Sequence, residues 1–75
     1  MKPYLNLNGN SGVLAWEAGA DFIKVKFLGG DVYLYTHSVT GQRHVEQMKK
    51  LAAEGQGLST YISQHVKESY AERLR

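Results

Sequence analysis

The chain has 75 residues, of which 43% are hydrophobic, and its nine Lys and Arg against seven Asp and Glu leave a formal charge of +2. That length makes one domain, near the lower limit for an unstapled core, because so short a chain buries only about 60% of its unfolded surface. The lack of cysteine excludes a disulfide framework and thiolate zinc sites, and a small, unclustered positive excess does not by itself identify a nucleic-acid partner.

The opening "MKPYLNLNGN" has neither the apolar core of a signal peptide nor the length of a membrane span. The expectation is a cytoplasmic protein with no membrane partner. Residues 6–12, "NLNGNSG", are rich in turn formers, so residues 1–10 read as a mobile or irregular lead-in and residues 11–75 as the domain. Val13 to Trp16 is apolar and β-leaning, and the small residues of 17–21 then break it. Ile23, Val25 and Phe27 alternate with Lys24 and Lys26, the period of a strand with one face in a core. Gly29, Gly30 and Asp31 supply a hairpin turn, and Val32 to Thr36 returns as the third strand.

After Ser38 the period lengthens to that of a helix. Val45, Met48, Leu51 and Ala52 share one stripe, with Arg43, Glu46, Lys49, Lys50 and Glu54 on the other side and Gly55 in place as a left-handed C-cap. A second helix is expected to open at Ser59 as N-cap and to carry Tyr61, Ile62, Val66, Tyr70 and Leu74 on its apolar face. The fold class is therefore α+β: a three-stranded antiparallel β-meander followed by two α-helices packed on one face of the sheet. The apolar stripes of these elements run from Val13 and Trp16 through Phe27 and Met48 to Val66 and Tyr70 and define the expected core.

The spacing F-x-x-G-x-x-Y-x-Y at Phe27, Gly30, Tyr33 and Tyr35 resembles the central signature of the KTSC domain, the family named after the C-terminal extension of some lysyl-tRNA synthetases. Ile23-x-Val25-x-Phe27, Val39 and Gly55-x-x-Leu58-Ser59 leading to Ile62 extend the likeness over about residues 11–70. Thr40 replaces the usual proline, Ala53 the usual serine and Gly57 the usual aromatic residue. The resemblance implies a small stand-alone bacterial member, for which RNA binding is suggested by the synthetase association. It implies no catalytic residue.

Hairpin register decides what the tyrosines do. A two-residue turn leaves Tyr33 and Tyr35 beside Lys24 and Lys26, an aromatic and basic face. A three-residue turn of Gly29, Gly30 and Asp31 sets Tyr33 against Phe27 and Tyr35 against Val25, on the apolar side, and leaves Val32 and Leu34 outside with the lysines. A polar residue is usual at the position of Leu34 in the similar proteins, which favours the second arrangement.

An RNA-binding reading uses Lys24, Lys26, Arg43, Lys49 and Lys50 against phosphates, with Tyr33, Tyr35 or Trp16 stacking on bases. Against it, the cations interleave with Asp31, Glu46 and Glu54, the pattern of an ordinary solvated surface. The alternative is a protein-interaction or self-association module that uses an exposed strip of Val32 and Leu34. His37, His44 and His65 match no metal spacing, and neither Ser38 beside His37 nor Ser63 near His65 has the geometry of an activated nucleophile. "GQGLS" lacks the lysine and the preceding strand of a phosphate loop. No enzymatic activity, metal or cofactor is expected.

Overall fold

The structure, a computed structural model, describes residues 1–7, 9 and 11–75. Its strands are β1 (Lys2–Pro3), β2 (Val13–Ala18), β3 (Phe22–Phe27), β4 (Val32–Thr36) and β5 (Glu72–Arg73), and its helices are α1 (Gln42–Glu54) and α2 (Leu58–Tyr61), the latter continuing as a π-helical turn over Ile62–Val66. All strand pairings are antiparallel and the sheet order is β1-β2-β3-β4-β5. The class is α+β, with five strands among the described residues rather than the three expected. The two additions are two-residue strands at the sheet edges, too short to show a period of two in the sequence.

The N-terminal addition shows that residues 2–7 belong to the domain rather than to a lead-in before Ser11. Lys2 and Pro3 pair with Trp16 and Ala15, and Tyr4 is only 7% exposed, with its hydroxyl accepting the Leu58 N–H. The Leu7 N–H bonds to the Gly55 carbonyl at 2.7 Å. The turn expected at Asn8 and Asn10 lies outside the described residues. The C-terminal addition shortens the second helix, which ends at Val66 instead of reaching Leu74 and is capped by Gly57 rather than Ser59. Tyr70 still packs on the core, but from the segment that leads into β5, while Leu74 is 41% exposed.

The β3–β4 hairpin settles the face of the tyrosines and corrects its register. Tyr33 lies opposite Val25 and Tyr35 opposite Ile23, two residues along from the three-residue alternative. The Phe27 N–H bonds to the Asp31 carbonyl and the Gly30 N–H to the Phe27 carbonyl, so the turn is Leu28-Gly29-Gly30. Both glycines sit at φ 96°, a region that side chains other than hydrogen strongly disfavour. Shifting by two residues preserves parity, so the tyrosines fall on the apolar side in either register.

A bulge between Val13 and Ala15 has a similar sorting effect in β2. Val13 pairs with Phe27 and Trp16 with Val25, so both face the core although they stand three positions apart. A regular strand would have put them on opposite faces. Leu14, at the bulge, is 43% exposed.

Ile23, Val25 and Tyr35 on this side of the sheet close against Val45, Met48 and Ala52 of α1, with Leu58, Ile62 and Val66 completing the core. Trp16, Phe27, Leu51 and Tyr70, all assigned to the core by their spacing, are partly buried around it. Gly55 caps α1 at φ 78°, as its position in the sequence indicates, and its N–H bonds to the Leu51 and Ala52 carbonyls. Thr40 is buried and donates its hydroxyl to the Ser69 carbonyl, fastening the entry of α1 to the segment before β5.

Candidate functional site

The lysines, the arginine and the two β4 tyrosines that the sequence singles out for binding do not come together on one surface. Tyr33 and Tyr35 turn inward. Tyr35 is 1% exposed, and Tyr33 packs edge-on against Phe27 at 5.6 Å and against Tyr70 at 4.7 Å between ring centroids. Burial, and then the nearby phenols of Tyr33 and Tyr70, push the Tyr35 hydroxyl up to about 12. Neither ring offers a free face for a nucleotide base. Arg73 lies over Tyr33 and holds Asp31 at 2.9 Å, which raises its already high pKa further.

Arg43, Lys49 and Lys50 lie on α1, which covers the opposite side of the sheet from Lys24 and Lys26. Lys49 is committed to local contacts: its ammonium meets the Glu46 carboxylate at 2.9 Å and donates to the Ala20 carbonyl at 3.1 Å. His37 reaches the same carboxylate at 2.7 Å. The hydrogen bond from Lys49 and then that from His37 hold the Glu46 carboxyl below its usual range. Arg43 and Lys50 are exposed on the helix surface.

Lys24 and Lys26 stand on the side of the sheet that the helices leave uncovered. Antiparallel register orders this face into rows. One row runs Pro3, Ala15, Lys26 and Val32, and the next runs Glu17, Lys24, Leu34 and Glu72. Phe22 and Thr36 form a third. Not one of these side chains is buried, whereas the alternate residues Ile23, Val25 and Tyr35 are. The Lys24 ammonium lies 3.8 Å from Glu17 and 5.7 Å from the centre of the Phe22 ring. The result is an apolar strip along β4 bordered by lysines on β3, with a glutamate further out on either side. Val32 and Leu34 were legible in the sequence as outward residues. Phe22, Glu17 and Glu72 were not, because their membership depends on register and on the β4–β5 pairing.

Two further clusters are products of folding. His44, Tyr61 and His65 converge although their separations in sequence match no motif: Nδ1 of His44 is 2.7 Å from the Tyr61 hydroxyl, and the Tyr61 and His65 rings are 4.5 Å apart. Among the described residues no carboxylate joins them, and no group of three His, Cys, Asp or Glu side chains could hold a metal ion. A cleft of about 180 Å³ lies between Tyr4, Asn6 and Ser11 on one wall and Gln56, Gly57 and Thr60 on the other. Its lining carries no formal charge, nucleophile–base pair or metal ligand set. Among the described residues no helix is long and apolar enough to cross a membrane. Comparison with protein-family models, with curated proteins and with solved structures gives no match to this chain.

Proposed function

We propose that this chain is a small binding module, acting without catalysis, whose contact surface is the uncovered sheet face and whose partner is a protein. The observation that carries the reading is the one-sided arrangement of the helices: every outward side chain of the central strands, Val32 and Leu34 among them, keeps access to solvent. An apolar strip rimmed by charge is the composition of a protein contact, with a core that excludes water and a polar margin.

RNA binding is the second reading. It is supported by the likeness to the KTSC domain and by the placement of Phe22 beside Lys24 and near Lys26 on the same face. The burial of Tyr35 and the packing of Tyr33 weigh against it, since base stacking on a sheet needs exposed aromatic rings. Binding of a mixed single-stranded RNA pool at low and high salt separates the two. The protein-contact reading expects no binding at either salt; binding that falls steeply with salt and is lost in Lys24→Glu with Lys26→Glu would replace it by the RNA reading.

A further inference from the structure

We infer that the partner of the uncovered face is a second copy of this chain, docked face to face about a two-fold axis that runs along β4. This rests on the reading of the face as the contact surface and adds what covers it. A two-fold contact requires a surface that complements itself after rotation, and the positions of four charges test whether this one does. An axis along β3 would stack Lys24 on Lys24 and Lys26 on Lys26. An axis along β4 instead exchanges β3 with β5. Lys24 and Glu72 both lie opposite Leu34, one on each side of it, so rotation sets Lys24 of each copy over Glu72 of the other.

The row through Val32 agrees. Leu34 and Val32, on the axis, meet their own counterparts. Lys26 lies opposite Val32 on β3, and on the β5 side the Leu74 N–H bonds to the Val32 carbonyl; rotation therefore lays the lysine stem along the 41%-exposed Leu74 side chain. Glu17 falls outside the overlap and keeps its contact with Lys24 in its own chain. Glu72 has no ion pair within the chain among the described residues, and the second copy supplies one.

The overlap of β4 with its counterpart, about 17 Å long, and two overlaps of β3 with β5, limited to about 7 Å by the two residues of β5, give at a strand spacing of about 4.8 Å on the order of 150 Å² of face per copy before side-chain relief is counted. This is well below the roughly 800 Å² per partner of stable complexes. The dimer is accordingly weak, with half-association between about 0.1 and 1 mM.

Sedimentation velocity from about 10 µM to 1 mM, with ¹⁵N–¹H spectra recorded over the same dilution, tests the proposal. The wild type is expected to pass from monomer to dimer, with dilution shifts at Lys24, Val32, Leu34 and Leu74. Lys24→Glu and Glu72→Lys each place like charges at two symmetric positions and weaken association about tenfold, while the double variant restores it to within about threefold. Leu34→Glu abolishes the dimer and leaves the thermal melt cooperative. A wild type that stays monomeric throughout, or a double variant no better than the single ones, overturns the self-pairing and leaves the sheet-face reading to its RNA-binding assay. Dilution shifts at Arg43 and Lys50 in place of the sheet residues overturn both.

Discussion

Truncating Tyr35 to Ala removes a ring that is 1% exposed, paired across the sheet with Ile23 and edge-on to Tyr70 at 6.4 Å. Loss of a buried aromatic side chain costs about 3 to 5 kcal/mol through lost burial and the cavity left behind. In a domain of this size each kcal/mol moves the melting temperature by about 4 to 8 °C, so a drop of at least about 12 °C is expected. Tyr35→Phe keeps the ring. The Tyr35 hydroxyl makes no side-chain hydrogen bond among the described residues, so removing it strands no partner and should cost no more than about 1 kcal/mol.

The pair also differs in alkaline solution. Burial and the neighbouring phenols raise the Tyr35 pKa from 10.0 to about 12, so the fold favours the neutral phenol. The associated stability is present in full below about pH 10 and is lost as the pH rises toward about 12. Tyr35→Phe should therefore lose less stability than wild type across that window, while the two behave alike at neutral pH. Urea titrations at pH 7 and pH 10.5, followed by far-UV circular dichroism, measure both effects. A Tyr35→Ala protein that melts within a few degrees of wild type would refute the inward placement of β4's tyrosines.

Gly55→Ala should destabilise by about 1 to 3 kcal/mol, because φ 78° disfavours a side chain and the added Cβ would stand 2.5 Å from that of Leu5; a chemical denaturation midpoint equal to wild type would contradict the cap. Thr40→Val removes the hydroxyl donated to the Ser69 carbonyl and should cost about 1 to 3 kcal/mol in the same assay, whereas Thr40→Ser should retain most of the stability. For Glu46, the lowered pKa means that its contribution is present above the ordinary carboxylate range and is lost as the pH falls through the folded value. The acid limb of Glu46→Gln should thus be shallower than that of wild type, and identical acid limbs would show that the Lys49 and His37 contacts do not persist in solution.

The sequence determined those features whose cause is local. Alternation of Ile23, Val25 and Phe27 with Lys24 and Lys26 specifies a strand with one wet face. Helical spacing from Val45 to Ala52 with Gly55 beyond it specifies α1 and its end, and the helix runs Gln42–Glu54 with a left-handed cap. Even the inward face of Tyr33 and Tyr35 was reachable as one of two parities, because a strand's side-chain period is two.

Tertiary structure decided what that periodicity leaves free. Registers two residues apart put the same side chains on the same faces, so only the hydrogen bonds that close the turn at Leu28-Gly29-Gly30 chose between them. The apolar spacing of Val66, Tyr70 and Leu74 suits a continuing helix, yet Tyr70 reaches Tyr33 and Tyr35 from the irregular segment between the π-helical turn and β5 instead, which lets Glu72 and Arg73 pair with β4. Strands β1 and β5, of two residues each, have no period to read; they form because β2 and β4 offer unpaired backbone groups at the sheet edges. For the same reason the outward face could be named from Lys24, Lys26, Val32 and Leu34 alone, while its charge pattern waited for Glu72, which enters only through a pairing 38 residues distant from Leu34 in sequence.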